Sequence, residues 1–282
     1  MIRALAFIVA AVLLGAQPAP RALRIVSLMP SLTEDLFSLG VGDEIVGTSQ
    51  FSDYPPAAEK LPRVGSSSNV DAERVVALHP DLIVGIPAQA AAVAPLIRAH
   101  LRVELLRDDS IADIYSTLSR LGALVGRRAQ AASLEARMRQ QTVRLERSLP
   151  RGKRPTVFVV LDVNPIYTAG KRSYLTSLIE MAGGRNAARL DAAYGRYSAE
   201  SLLEAQPDVI VVDPLVGFTS VEHKEPWRSL RAVQNGNVAL IPDPDTLLQP
   251  GPRYNEGLRW LIAAVHRSAA PIRHSDNART HG

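Results

Sequence analysis

The side chains in this chain that could do chemistry are aromatic and polar groups gathered in loops. Four of its seven tyrosines, Tyr54, Tyr167, Tyr194 and Tyr197, fall in polar, turn-rich stretches. A tyrosine offers a broad apolar face with a polar tip, so several around one cleft would hold a bulky planar or macrocyclic ligand. Capping of a local turn is the competing role for each of them. The loops concerned are Met29-Pro30-Ser31 and residues 51–56, 65–69, 164–167, 194–197, 217–218 and 243–253.

Motifs for making or breaking bonds are broken. Gly170-Lys171 looks like the end of a phosphate loop, but Pro165 stands where a glycine is needed and Arg172 where a Ser or Thr should bind magnesium. The run Gly65-Ser66-Ser67-Ser68-Asn69 ends without the glycine of a nucleophile elbow. Six histidines are scattered without ligand spacing; His79 reads as a solvated helix end and His223 as a loop residue. With no cysteine, thiolate metal sites, iron–sulfur clusters and disulfides are ruled out. We expect no catalytic residue, no metal site and no resident cofactor. A hydrolase would need a Ser or Asp beside His79 or His223 in a cleft.

A second pattern is a duplication. Residues 73–84 read ERVVALHPDLIV and residues 200–211 read ESLLEAQPDVIV. In each copy a short helix starts near the Glu, a Pro stops it, and a continuous aliphatic run follows, as a strand buried on both faces requires. Val75, Val76 and Leu78 in one copy, and Leu202, Leu203 and Ala205 in the other, are expected to face a core. Two such copies imply two related halves. Glu73 and Glu200 would favour their helix dipoles by about 0.3–1 kcal/mol each. The duplication would also put one carboxylate on each half, suited to arginine clusters on a symmetric partner.

The elements that must position these groups follow the same two-part plan. Residues 23–28 read as a strand, and Ser31 with Glu34 as a capping box opening a helix that stops at Gly40. Strands are predicted at 45–48 and 103–106, and helices at 89–99 and from Ser110. Residues 127–149 carry the longest helical pattern, with Leu134, Met138, Leu145 and Leu149 on one stripe, about 35 Å at 1.5 Å per residue. The second half is read as strand 157–161, loop 162–170, helix 175–182, the second repeat copy, strand 238–241 and helix 258–265. The fold class is α/β: two Rossmann-like lobes bridged by one long rigid helix, with a cleft beyond the carboxyl ends of the strands. The lobes occupy residues 22–126 and 151–266, the bridge 127–150.

Residues 1–19 have a basic start and an apolar stretch too short to span a bilayer, which reads as a cleaved secretory signal. Without a cysteine there is no lipid anchor, and the mature chain is expected free in a periplasm-like space. Residues 267–282 read as a disordered tail. Much of the formal net charge of +4 sits on Arg3, Arg267, Arg273 and Arg279 at the ends. That is no nucleic-acid footprint.

Several segments carry a resemblance. RIVSLMPSLTEDLFSLGVGDEIVGTS, SDYPP, VDAERVVALHPDLIV, YTAGKRSYLTSLIEMAGGRNA, RYSAESLLEAQPDVIVV and GPR, between residues 24 and 265, resemble the periplasmic substrate-binding proteins of ABC importers for vitamin B12, ferric siderophores and haem. SDYPP followed by the Glu73 segment is most similar to the vitamin B12-binding members. The resemblance implies a non-enzymatic carrier that takes cobalamin or another corrinoid into the inter-lobe cleft. It implies that Tyr54, Tyr167 and Tyr194 contact the macrocycle and that Glu73 and Glu200 dock on arginines of the importer's membrane-spanning subunits. Ser67, Asn69, Asp245 and Arg253 are further polar candidates. Where those members have Trp residues, this chain has Ser67 and Ile86. A ferric siderophore or haem is the alternative ligand, and an adaptor binding another polypeptide through the two glutamates is a third reading. The carrier is expected to be monomeric, with small lobe movements.

Overall fold

The computed structural model describes residues 22–266 apart from residue 67, so the expected leader, the tail and Ser67 lie outside the described residues. The first lobe runs β1 (Ile25–Ser27), α1 (Pro30–Ser38), β2 (Ile45–Thr48), α2 (Ala72–Ala77), β3 (Leu82–Gly85), α3 (Ala90–Arg98), β4 (Val103–Leu105) and α4 (Ile111–Leu124). Helix α5 (Arg128–Arg147) crosses to the second lobe. There follow β5 (Thr156–Val160), β6 (Asp162–Val163), β7 (Ile166–Ala169), α6 (Tyr174–Met181), β8 (Arg185–Asn186), β9 (Tyr194–Arg196) and α7 (Ala199–Ala205). The chain closes with β10 (Val209–Val212), α8 (Arg231–Gln234), β11 (Val238–Leu240), α9 (Pro244–Leu248) and α10 (Tyr254–Val265).

Each lobe is built on a parallel sheet with the same strand order. The first sheet runs β2-β1-β3-β4 and the second β8-β5-β10-β11, the same path traced by the later strands. The repeated sequence supplies the matching central strands β3 and β10 and the helices before them, and its punctuation is repeated in atomic detail. His79 and Gln206 take left-handed φ values of 47° and 39° immediately before Pro80 and Pro207. A residue preceding proline is pushed out of the α region, so the helix must end there. The following Asp then ties down the neighbouring strand: Arg24 N donates to Asp81 Oδ2 at 2.9 Å, and Thr156 N to Asp208 Oδ2 at 2.8 Å. Pro-Asp in this chain is a joint between helix and sheet.

The aliphatic strands alternate between two buried layers, as their period of two requires. Val157 and Val159 of β5, and Val209 and Val211 of β10, face a core that also takes in Ile25, Leu82 and Val84 of the first sheet. Phe158, Val160, Ile210 and Val212 face a separate outer cluster, as Val26 and Ile83 do on the first lobe. The inner core is therefore continuous through both lobes, with Met138 of α5, Leu118 of α4 and Leu258 of α10 between the sheets. Polar contacts reinforce the junction. Tyr115 of α4 and Thr142 of α5 both hydrogen-bond the Tyr254 hydroxyl, and Asn255 Nδ2 donates to the Met138 carbonyl at 2.9 Å.

Three local expectations change. Ser31 and Glu34 form no capping box: α1 starts on Pro30 after Met29, without a side-chain cap, because Glu34 is drawn to Arg253 in the other lobe. Val76 is 44% exposed, since a helix as short as α2 buries only one line of side chains, led by Val75. Residues 162–170, read as loop, form most of a three-stranded antiparallel sheet in the order β6-β7-β9. Its strands are too short to leave a periodic signal, and β9 comes from far along the chain.

Candidate functional site

The carboxyl ends of the strands in both lobes converge on one cleft, where open α/β sheets bind ligands. A cavity of about 260 Å³ lies there. Met29 and Ser31 after β1 and Asp108 and Asp109 after β4 line it from the first lobe; Tyr194 on β9 and Gln249 after α9 line it from the second.

Strand register explains the aromatic wall. β7 and β9 pair antiparallel with Tyr167 opposite Arg196 and Ala169 opposite Tyr194. Residues two apart share a face, so Tyr167, Tyr194 and Arg196 project together while Ile166 and Thr168 turn into the lobe. Tyr167 and Tyr194 are each 38% exposed. Burial pushes the Tyr194 hydroxyl up to about 12, helped by the charges of Asp108 and Asp109, so it is a neutral donor at physiological pH.

Tyr54 sits on the other side, on a loop held by a buried hydroxyl network. Thr33 Oγ1 meets Ser27, Thr48 and Ser52 hydroxyls at 2.9, 2.9 and 3.1 Å, and Arg63 donates to the Ser49 and Ser52 carbonyls. The Tyr54 ring lies under the Arg253 guanidinium, 3.7 Å from its carbon to the ring centre, a favourable cation–π geometry. Phe51 on the same loop is more than half exposed. Each lobe thus carries exposed aromatic rings, Phe51 and Tyr54 on the first and Tyr167 and Tyr194 on the second, of which Tyr194 lines the cavity.

The polar candidates fall into different roles. Arg253 spends three of its N–H groups inside the protein, Nε and Nη2 on Glu34 and Nη1 on Asp243. Asp245 accepts from Gln249 Nε2 at 2.6 Å and so orients that side chain. Asn69 is exposed and closes the turn that begins at Gly65: its carbonyl accepts from Ser66 N at 2.9 Å, and a side chain on Gly65 would collide with that carbonyl.

Sequence reasoning missed four acidic or amide groups of the cleft: Glu34, Asp108, Asp109 and Gln249. Inspecting the residues just past each predicted strand would have found Asp108 and Asp109. Burial, then the neighbouring Asp109 and Asp113, raises the Asp108 carboxyl to about 6. Burial likewise raises Glu34 and Asp245, against the pull of Arg253.

Catalytic pairings are not found at this place. None of the four described histidines lines the cavity; His223 is 86% exposed beside Glu222, and His266 bonds the Ala182 carbonyl. Glu73 and Glu200 occupy the equivalent second positions of α2 and α7, both exposed, and neither has an ion-pair partner among the described residues. A larger depression of about 510 Å³ on the second lobe lies past the end of β9, lined by Arg189, Arg196 and Glu204 and by no residue of the first lobe.

Comparison with known proteins agrees with this architecture. Residues 25–244 match the family described as periplasmic binding protein. The vitamin B12-binding protein of Vibrio cholerae is 33% identical over 253 residues, which cover 84% of this chain and 87% of that protein. An uncharacterized ABC transporter substrate-binding lipoprotein of Bacillus subtilis is 29% identical, over 86% of this chain and 80% of its own. The crystal structure of a periplasmic heme-binding protein from Pseudomonas aeruginosa superposes with a TM-score of 0.78 at 28% identity, covering 89% of this chain and 95% of that one. Proteins of this kind are carriers, not enzymes, and deliver small molecules to membrane transporter subunits. With its duplicated lobes, rigid bridging helix and aromatic cleft, the chain belongs to the periplasmic binding protein family, in the class that serves ABC importers of vitamin B12, siderophores and haem.

Proposed function

We propose that this protein captures a corrinoid, cobalamin or a close analogue, in the inter-lobe cleft and hands it to an ABC importer. The observation that carries this reading is the pairing of flat aromatic surfaces with a cavity wall that holds Asp108 and Asp109 and, among the described residues, no Lys or Arg. Tyr54 on one lobe and Tyr167 and Tyr194 on the other offer ring faces to a macrocycle, while Asp108 and Asp109 offer hydrogen-bond acceptors. A corrin ring is edged with carboxamides, whose N–H groups match such acceptors. Haem carboxylates or an anionic ferric siderophore would meet the like charge of Asp108 and Asp109 in the cavity, where Arg253 is engaged by Glu34 and Asp243, and among the described residues would find a cation only at Arg196 beside Tyr167 and Tyr194. The cavity itself is smaller than the roughly 300–1,000 Å³ of ordinary ligand pockets, so the macrocycle sits at its mouth with only an edge group inside.

Haem is the second reading, favoured by the Pseudomonas aeruginosa relative and by a part-exposed tyrosine in the cavity wall, Tyr194, a residue type that can ligate iron. In either case Glu73 and Glu200 would dock on the importer, and the carrier would be a periplasmic monomer. Titration with cyanocobalamin and with haemin tests the choice: a saturable one-to-one heat with the first and none with the second supports the corrinoid, and the reverse pattern refutes it.

A further inference from the structure

We propose that the floor of the inter-lobe cavity is an acceptor subsite that holds an N–H donor of the ligand, a carboxamide or an ammonium group, through Gln249 Oε1, the Asp108 carboxylate and Ser31 Oγ. This rests on the cleft being the ligand site and adds the chemistry of the group that enters it.

Two buried polar atoms in the cavity wall lack a hydrogen-bond partner: Ser31 Oγ from the first lobe and Gln249 Oε1 from the second. Ser31 is only 2% exposed. Buried polar groups are almost always paired, because an unpaired one loses its water without replacement. Two such atoms from opposite lobes, in the wall of one cavity, point to a partner that arrives with the ligand.

The polarity of that partner follows from the neighbours. Gln249 Nε2 is bound to the Asp245 carboxylate, which fixes the amide with its nitrogen toward Asp245 and leaves the oxygen as the free end. Asp108 stands on the opposite wall, and the adjacent Arg107 turns instead to Asp109 and Asp113 at 3.7 and 3.6 Å. Among the described residues lining the cavity there is no Lys or Arg. A carboxylate entering here would find donors only in the Ser31 and Tyr194 hydroxyls and would meet the charges of Asp108 and Asp109, whereas an N–H group would satisfy Gln249 Oε1 and Asp108.

The test is calorimetric titration of the full chain with three probes: cyanocobalamin, edged with carboxamides; ferrioxamine B, a ferric hydroxamate with a pendant ammonium; and haemin, edged with carboxylates. Gln249→Met and Asp108→Asn should each weaken binding of a donor-bearing probe about tenfold, as expected for loss of one buried or charge-assisted hydrogen bond. Ser31→Ala, which removes the third polar atom and leaves the Asp245–Gln249 hydrogen bond intact, should weaken that binding as well and serves where the Met variant folds poorly. Cyanocobalamin binding that responds in this way supports both the subsite and the corrinoid reading. Ferrioxamine B alone, with the same response, keeps the subsite and discards the corrinoid. Binding of haemin alone, of none of the probes, or of donor probes indifferent to both substitutions overturns the subsite.

Discussion

Arg253 and Glu34, 219 residues apart in sequence, join the two lobes by a two-pronged ion pair, Nε to Oε2 and Nη2 to Oε1, each at 2.7 Å. Both side chains are largely buried, at 13% and 6% exposed. The pair fixes the spacing of the lobes at the cleft and, through the ring stacked on Arg253, the position of Tyr54.

Removing one member should cost more than the pair contributes, because the other is left buried and unpaired. Arg253→Met is expected to lower stability by about 3 kcal/mol, and the double change Arg253→Met with Glu34→Met by less than the sum of the two single changes. Urea denaturation of the three variants checks this. Additive losses would mean that the two side chains act independently.

The tyrosines should separate binding from folding. Tyr167→Ala and Tyr194→Ala remove half-exposed rings that face away from the lobe core, so affinity should fall about 10- to 100-fold while the denaturation midpoint changes little. A loss of stability without loss of affinity would assign them to turn capping.

Binding should depend on pH through Asp108. Its carboxyl, raised to about 6 by burial and by Asp109 and Asp113, with Tyr194 facing it, is half protonated near that pH. A donor from the ligand favours the ionised form, so binding releases a proton and affinity should rise as pH increases through 6, then level off. The free protein has the opposite slope: an acid raised in the folded state makes stability fall as pH rises from about 4 to 6. Asp108→Asn should flatten both curves, as read by titration and thermal melting from pH 4.5 to 8.

Docking predicts a different separation. Reversing Glu73 and Glu200 to Lys should impair uptake by cells while leaving ligand affinity unchanged, since both lie on exposed first turns and neither lines the cavity. Equal loss of both properties would contradict the docking role.

The duplicated architecture is legible in the sequence because its signals are local. A proline that ends a helix, an aspartate that ties a strand and an unbroken aliphatic run each act within a few residues, and they occur twice. The cleft chemistry is legible only in part, because its partners are remote. Ser31 and Glu34 have the spacing of a capping box, yet an arginine from the far end of the chain outcompetes the local bond. Gln249 reads as one more polar loop residue until Asp245 is seen to hold its nitrogen. The β6-β7-β9 sheet, which aims Tyr167 and Tyr194, joins strands of two to four residues across a helix, and nothing in a short window shows it.

The most direct test of the carrier account is the heat of mixing the mature protein with cyanocobalamin. The account predicts saturable one-to-one binding at micromolar affinity or tighter, weakened by Tyr194→Ala. No heat at two temperatures, with haemin binding in its place, would contradict the corrinoid assignment.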